Sequence, residues 1–569
     1  MNFNLNEVPF SRYGSYIVIS PLHSKDKNKD LYIRNIRGGD NDLGAVFRIE
    51  LVYKGKRVPY KVTATPTLLR LDAEEGYMEL CIYEPQFLRV RGKGVGLRLS
   101  ANTGAYDYAM PVQNGRWEVN SFEQEIRYMV TPLKGLLNVD APWVEQKCEH
   151  IILDLLPGEE TGEMECAIEE FHTVWTKQNY ETDFETCHRL VDEEYQKWMS
   201  NTLQVADQYM KGKELAAYIT WSCVVNPEGY LSRPAMYMSK NWMTNIWSWD
   251  HCFNAMALVK SNPELAWDQF MIFFDKQDES GVLPDFMNDR FALWNCCKPP
   301  IHGWTLRWMM ERTDYITKER LKEVYEPLIR WTEWWFDHRD DDNDGVPQYN
   351  HGNDSGWDNS TVFQVGSPVE SPDLCAFLIM QMDVLSDIAA QLGLQEDEKK
   401  WLARANETLD RMIDHCWDYD QFKASRSGCH TMFESKSLVL FMPIILGKRL
   451  PESILSHLIK GLKENGRFFT KHGLATESIN SQYYCEDGYW RGPIWAPTTM
   501  LIHEGLNSSG ENVFATDVAR RFCNMAAKSG MAENFNALTG KGLRDRAFTW
   551  TSSVFLVLAN ELFAENSGK

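Results

Sequence analysis

The chain is short of basic residues: 59 Lys and Arg stand against 80 Asp and Glu, a formal net charge of −21 over 569 residues. A nucleic-acid partner needs a basic face to meet its phosphates, so none is expected. No apolar run approaches the about 20 residues that cross a bilayer, and no membrane partner is expected either. The opening segment MNFNLNEVPFSRYGSYIVIS lacks a basic stretch, an apolar core and a small-residue cleavage site, so a cytoplasmic location is expected. The 13 cysteines form no CxxC pair and no Cys/His metal spacing. They read as small buried thiols, with only Cys296 and Cys297 adjacent. A serine nucleophile elbow, a phosphate-cradling loop and an HExxH helix are all missing. RGKGVG, Arg91 to Gly96, lacks GxGxxG spacing and reads as a turn among strands.

What the chain does have is 21 tryptophans and 23 tyrosines. Flat apolar faces in such numbers suit a pocket that stacks sugar rings, and equally a large helical core built of bulky side chains. The length exceeds what one ordinary core fills, so more than one domain is expected. Up to residue 163 the pattern has period two. In AVFRIELVYKG, Phe47, Ile49 and Leu51 alternate with Arg48 and Glu50, and GYMELCIYEPQFLRV, QEIRYMV and HIILDLL behave alike. Such runs with turn residues between them predict an antiparallel β-sandwich over residues 1–163. From residue 164 the period turns helical, as a linker over 164–200 and then over 201–569. SPDLCAFLIMQMDVLSDIAAQLG is the plainest case. Ser371 stands at the N-cap, Pro372 at the first helical position, Leu374, Phe377, Leu378, Leu385 and Ile388 on one stripe, and Gly393 at the end. Helix hairpins joined by long polar loops predict a mainly α domain, an α/α toroid whose loops carry function.

Four loop clusters concentrate Trp, Gly, Pro, Asn and Asp. They are NIWSWDHCFNAMAL (245–258); SGVLPDFMND with CKPPIHGW, holding Asp285, Asn288, Lys298 and Trp304; HGNDSGWDNS (351–360); and YYCEDGYWRGPIWAP (483–497) with AENFNALTGKG (532–542). A carboxylate beside tryptophan recurs in them. Glycoside hydrolysis needs one protonated carboxyl for the leaving oxygen and one carboxylate opposite, about 6.5–9.5 Å apart when water must fit between them. An apolar aromatic wall desolvates the acid and raises its pKa, the role Trp357 would take beside Asp358. Composition cannot choose the pair among 80 acidic residues, and Asp358 by itself also reads as a turn or cap residue.

SGWDNS, YWRGPIW and ENFNALTGKGLRDRAFTWTS, in that order after WSWDHCF, resemble signature segments of glycoside hydrolase family 63. They also resemble its relatives, the family 37 trehalases and the bacterial mannosylglycerate and glucosylglycerate hydrolases. The resemblance covers roughly residues 210–560. It implies an (α/α)6 catalytic domain behind the sandwich and an inverting exo-α-glycosidase, with Asp358 as general acid and Glu533 as general base. It implies a sugar subsite of Trp247, Asp250, Gly356, Tyr489, Trp490 and Trp495, with Trp357 as a wall and Arg491 nearby to orient a carboxylate. Asp354 and Glu486 stand in reserve as neighbouring acids. Lys298 departs from the pattern, standing where relatives often carry Gln before paired prolines; in the pocket its charge would bias the sugar or favour an anionic aglycone.

The expected substrate is a small carbohydrate: an α-glucoside in an oligosaccharide, a disaccharide or a glucosylated metabolite. A mannosylglycerate or glucosylglycerate hydrolase, or a trehalase, is the alternative within the class. A sugar epimerase or a non-catalytic carbohydrate-binding protein is the alternative outside it. No cofactor is required by this chemistry, and the chain does not disclose an oligomeric state. Asp340, Asp342 and Asp344 fall at positions one, three and five of an EF-hand-like loop with Gly345 at six, which allows a structural calcium. His351 at position twelve, in place of a bidentate glutamate, argues for a solvated acidic turn. His351 and His251 read as hydrogen-bonded structural residues.

Overall fold

The alternation in the first third of the chain buries one face of each strand. In the strand Ala45–Tyr53, Phe47, Ile49 and Leu51 are all 0% exposed. Glu50 is buried as well, and its carboxylate meets Arg57 at 3.2 Å and Arg48 at 3.3 Å, which offsets its desolvation. The computed structural model describes residues 1–22, 30–41 and 43–567. Within them the N-terminal part forms two antiparallel sheets. One has seven strands, in the order 17–21, 31–35, 45–53, 96–101, 151–156 and 136–140, with 56–58 paired to 45–53. The other has eight, in the order 108–112, 116–121, 126–134, 163–171, 87–93, 76–84, 69–73 and 61–64. Phe47, Ile33, Leu80, Val90 and Ile168, from both sheets, share one core. Arg91–Gly96 is a strand end, a turn at Gly94 and the start of the next strand.

The sheet region extends past residue 163. Glu163–Phe171 is a strand hydrogen-bonded to 87–93 and 126–134, so the stretch expected to open a helical linker closes the larger sheet instead. EMECAIEEF is compatible with either period by pattern, and pairing with two neighbours decides for the strand.

The helices follow in chain order: α1 (Phe184–Asn201), α2 (Met210–Ser222), α3 (Asp250–Leu258), α4 (Pro263–Met271), α5 (His302–Met310), α6 (Lys318–His338), α7 (Pro372–Leu392), α8 (Gln395–Cys416), α9 (Glu452–Lys463), α10 (Ala496–Ser508), α11 (Asn512–Ser529) and α12 (Thr549–Ser567). A 3-10 segment, Leu438–Arg449, lies between α8 and α9. α3, α5, α7, this segment, α10 and α12 each pack on the next, and α12 packs back on α3. α2, α4, α6, α8, α9 and α11 pack against members of that circuit. α7 begins at Pro372 with Ser371 extended as N-cap and ends at Gly393, whose φ of 79° no β-carbon would welcome. From Pro372 to Ser386 it is buried on every side, including Gln381 and Asp383, where the sequence suggested a single stripe, and only its last turns expose Asp387, Ala390 and Gln391. A helix with neighbours on every side needs no polar face. Among the described residues no helix is long and apolar enough to cross a membrane.

The two parts share an interface. Val8, Tyr16, Val18 and Ile36 belong to the core of the helical part. Fully buried Lys240 donates to Ser11 Oγ at 3.1 Å and to Arg12 O at 3.3 Å, and Arg34 donates to Lys240 O at 3.1 Å.

Candidate active site

The circuit of helices gathers the loop clusters, because each precedes the N-terminus of a circuit helix. Asp250 opens α3, Lys298 precedes α5, Trp495 is the N-cap of α10, and the Glu533 segment leads into α12. The Asp358 turn leads toward α7.

That turn is built around Asp354. One carboxylate oxygen accepts Cys297 N at 3.1 Å; the other accepts Asn350 N at 3.1 Å and His351 N at 3.2 Å. His351 Nδ1 accepts Asn353 N at 3.0 Å and completes a capping box over the short 3-10 turn Gly352–Ser355. Asp354 is therefore a structural anchor and not a reacting acid. Gly356 turns the chain at a φ of 74°, and a β-carbon there would sit 2.5 Å from the Trp249 ring. Asp358 leaves this turn toward the interior. Its neighbour Asn359 is fixed from the other side: Asn359 Nδ2 donates to Gly488 O at 3.0 Å, Trp490 N donates to Asn359 Oδ1 at 3.0 Å, and Arg491 Nε donates to Asn359 O at 2.6 Å. Arg491 thus holds the backbone of the Asp358 loop.

Glu533 precedes a two-residue ladder, Asn534–Phe535 against Gly542–Leu543. Ile494 and Phe535 exchange backbone hydrogen bonds of 2.7 and 2.9 Å, which ties YWRGPIW to the Glu533 segment. Glu533 N donates to Asp545 O at 2.7 Å. Three motifs far apart in sequence are in this way stitched side by side.

Their charged groups act on one another. Glu533 is 4% exposed, and burial first, then nearby Asp545, push its carboxyl up to about 8 against the pull of Arg544; Asp358 adds to the rise. Burial also raises Asp358, with Lys298 opposing and Asp285 reinforcing. Asp250 is raised well above the usual carboxylate range by burial, again with Lys298 opposing, and its Oδ2 is buried without a hydrogen-bond partner. Burial would lower Lys298, but Asp285, Asp358 and Asp250 hold it above the ordinary lysine value. Lys298 Nζ lies 3.1 Å from Asp285 Oδ1 and donates to Asn353 O at 3.0 Å, and Asn353 Nδ2 donates to Asp285 Oδ2 at 2.8 Å. Tyr489, held at a φ of 63°, has its hydroxyl pKa raised by burial and by Asp358, Glu533 and Asp250 together. Its ring carries the Arg544 guanidinium 4.8 Å from the centroid. A strained non-glycine φ at this point costs about 1–3 kcal/mol, and the ring it places packs edge-on against Trp495 at 5.0 Å.

The tryptophans sit lower than the sequence suggested. Trp357, Trp490 and Trp495 are 0%, 1% and 1% exposed, and Trp490 and Trp495 stack at 4.0 Å with 4° between planes. Trp357 lies 5.0 Å from Trp490. Their faces are spent on one another, so they form a floor beneath Tyr489 where stacking on a ligand had been expected. Trp247 and Tyr489 are the partly exposed aromatics of the expected subsite, and Trp495 Nε1 donates to Tyr489 O at 2.9 Å. Gly356 contributes its close approach to Trp249 and is itself buried.

Asp285 was named by sequence only as a member of a loop cluster, and Asn353, Arg544, Asp545 and Asn241 were not singled out. Asn241 Nδ2 donates to Asp545 Oδ1 at 2.8 Å and to Glu7 O at 2.9 Å, so the N-terminal residues reach the neighbour of Glu533 through one amide. Only the LRDRAF stretch hinted at Asp545, and nothing in its spacing points to Glu533.

The acidic turn at Asp340–Gly345 forms a second carboxylate cluster. Asp340 spends both oxygens on the N–H groups of Asp344 at 3.1 Å and Gly345 at 3.0 Å, so it closes the turn. Asp342, Asp344, Glu370 and His430 bring ligand atoms within 4.8 Å of one another. Asp342 Oδ1, Glu370 Oε1 and Gln348 Oε1 are buried oxygens without a hydrogen-bond partner, as a hard cation would require. Glu370 comes from outside the twelve-residue loop, and its other oxygen, Oε2, pairs with His415 at 2.6 Å and accepts from Ser425 at 2.8 Å, whereas His351 caps the Asp358 turn.

The model of the mannosylglycerate hydrolase MGH1-like glycoside hydrolase domain matches residues 243–551. The mannosylglycerate hydrolase MGH2 of Selaginella moellendorffii is 20% identical over 391 residues, 54% of this chain and 79% of that one. A probable mannosyl-oligosaccharide glucosidase of Schizosaccharomyces pombe is 27% identical over 240 residues, 37% of this chain and 29% of that one. In fold, the family 63 mannosylglycerate hydrolase of Thermus thermophilus in complex with glucose overlays 62% of this chain and 99% of its own at a TM-score of 0.52 and 19% identity. A bacterial glucoamylase complexed with acarbose overlays 98% of this chain and 94% of its own at a TM-score of 0.62 and 11% identity.

Proposed function

Because the chain belongs to the MGH1-like glycoside hydrolases, whose model spans more than half of it, we propose that it is an inverting, exo-acting α-glycosidase that removes glucose from a small glucoside. The hydrolase class comes with the family; the linkage, the sugar and the stereochemistry are this reading. The observation that carries it is electrostatic: carboxyls from two separate motifs, partly buried Asp358 and buried Glu533, both raise the Tyr489 hydroxyl, and Asp358 also raises Glu533. In the mechanism Asp358 protonates the glycosidic oxygen and Glu533 takes the proton from water attacking the opposite face of the anomeric carbon. Asp250, with an unpartnered oxygen, accepts sugar hydroxyls, and the Lys298–Asp285 pair offers a donor beside an acceptor.

The resting electrostatics favours a second assignment of roles. Glu533, at about 8, holds a proton through neutral pH, so a reversed pair with Glu533 as acid and Asp358 as base competes. Glucosyl fluoride separates the two, because fluoride leaves without a proton: the acid's variant keeps this substrate, whereas the base's variant loses it. Screening α-linked glucose and mannose disaccharides, with NMR of the fresh product, tests the reading as a whole. β-Anomer released first supports inversion, and α-anomer released first overturns it.

A mannosylglycerate or glucosylglycerate hydrolase is the rival that the relatives' names favour. A sugar epimerase would use histidines as acid and base, but His251 and His302 are 0% exposed and His351 is a cap. The circuit of six helical segments, together with the overlay on the glucoamylase, supports an (α/α)6 toroid. Asp342, Asp344 and Glu370 would hold a structural calcium ion, its positive charge joining α8's neighbourhood to the acidic turn. Thirteen free thiols support a reducing, cytoplasmic setting.

A further inference from the structure

Directly after Asp250 the chain places side chains that the proposed reaction does not use. His251 and Cys252 are the second and third residues of α3, and His302 is the first of α5. All three are 0% exposed. One ligand atom from each, a ring nitrogen or Sγ, lies within 4.8 Å of the other two, and His251 Nε2 stands 3.8 Å from Cys252 Sγ.

The two imidazoles are set up differently. His251 Nδ1 faces Trp247 O at 3.0 Å. A carbonyl only accepts, so the ring proton is held on Nδ1 and the lone pair falls on Nε2, the nitrogen beside the thiol. His302 has neither ring nitrogen hydrogen-bonded, although both are buried. Around it stand the rings of His251 and Phe274 at 5.2 Å, Phe270 at 6.2 Å and Trp331 at 6.3 Å. A buried polar atom left unpaired costs about 1–3 kcal/mol, and these apolar walls do not offset it. Burial drives His251 down to about 3, against the carbonyls of Trp247 and Phe270, and drives His302 well below the ordinary imidazole value. Both rings are therefore neutral and keep a lone pair. Burial raises the Cys252 thiol, with Thr305 opposing and Asp250 reinforcing.

We propose that His251, Cys252 and His302 form a buried site for a zinc ion, bound by two neutral imidazoles and a thiolate. Nitrogen and sulfur are the ligands zinc takes, whereas calcium and magnesium take oxygen. The Thr305 hydroxyl, one turn along α5 and acting on the thiol, stands as a fourth donor. Binding releases the thiol proton to solvent, and the thiolate together with the Asp250 carboxylate matches the two charges of the ion. The ion would tie the first turn of α3, which carries Asp250, to the start of α5, which follows Lys298. The third ligand comes from another helix, so no local Cys/His spacing announces the site. The proposal does not depend on which sugar the enzyme cleaves.

The test uses the full-length protein expressed in zinc-supplemented medium and washed with EDTA to strip surface ions. Elemental analysis should find about one zinc per chain, and absorption at the zinc X-ray edge should show one sulfur at about 2.3 Å and two nitrogens at about 2.0–2.1 Å. Cys252→Ser and His302→Gln should each lower the zinc content about tenfold. Cys429→Ser, which removes the exposed thiol beside His430, should leave it unchanged. Less than about 0.1 zinc per chain in the unaltered protein would overturn the proposal, as would loss of zinc in Cys429→Ser. A shell without sulfur would overturn it too, because it would put the ion at Asp342, Asp344, Glu370 and His430. The X-ray measurement needs no variant, so it decides the matter even where a substitution prevents folding.

Discussion

Two acidic clusters share the helical domain, and they treat their carboxylates in opposite ways. In the turn at Asp340–Gly345 the oxygens of Asp340 are consumed by backbone N–H groups, and Asp342 accepts from Gly428 N at 2.7 Å and from His430 at 2.9 Å. That cluster is partly solvated, with His430 45% exposed on its rim. Around Asp358 the carboxyls of Asp250, Asp285 and Glu533 are at most 5% exposed, and Asp250, Asp285 and Asp358 act on Lys298 as a shared buried cation. In the Asp340–Gly345 turn, against burial, the His430 and backbone N–H donors hold Asp342 below the usual carboxylate range, while burial raises Asp340 and Asp344 against their N–H bonds. Around Asp358, by contrast, burial raises Asp250, Asp358 and Glu533 together, which is the kind of shift that acid–base chemistry needs.

The largest expected effect breaks the buried cluster at its chemistry. Asp358→Asn and Glu533→Gln should each lower kcat by about 10²–10⁴-fold, measured on whichever α-glucoside the screen identifies. Asp342→Asn should leave kcat within a few-fold, since that turn holds a loop.

Next in size is Lys298→Met, which strands Asp285 without its cation; unfolding by denaturant should show a loss of about 3–5 kcal/mol. The matching change at the solvated cluster, His430→Gln, removes an exposed partner and should cost under about 1 kcal/mol. Equal losses from the two would erase the contrast drawn here.

A cation sharpens the comparison at an intermediate scale. Calcium at one hundred times its Kd should add about 2.7 kcal/mol to stability through Asp342, Asp344 and Glu370. The increment should vanish on chelation and be absent in Glu370→Gln. No stabilisation by calcium or another divalent ion would return the turn to a purely solvated role.

A further effect is in pH. The folded pKa of Glu533, about 8, lies above its ordinary 4.5. The stability this group contributes is therefore full below about pH 4.5 and is lost as pH rises through about 8. Glu533→Gln should flatten that slope in thermal melts taken across the window. Asp545→Asn, by removing the neighbouring charge, should move the loss to lower pH. A slope unchanged in both variants would mean that Glu533 is ionised in the resting protein.

Much of the fold is legible in the residues. Alternation at Phe47, Ile49 and Leu51 places a buried strand face, and Ser371, Pro372 and Gly393 bracket α7. Where the pattern fits two periods, as in Glu163–Phe171, only the pairing partners decide. The site is legible to the extent that its motifs are: Asp358, Glu533, Asp250 and Lys298 stand in segments that can be picked out by eye. Asp545 and Asn241 do not, because their importance comes from one carboxylate and one amide meeting across a long stretch of chain.

Sequence alone determined that this protein has a strand-patterned front and a helix-patterned remainder, that its carboxylates and tryptophans collect in loops, and which segments resemble a glycosidase. It could do so because local periodicity and turn chemistry act over a few residues. Only the tertiary structure decided that Asp354 is an anchor while Asp358, four positions on, loses water beside Lys298. It alone turned Trp357, Trp490 and Trp495 into a floor. Desolvation and pairing depend on neighbours in space, and those neighbours arrive from loops that the helical circuit brings together.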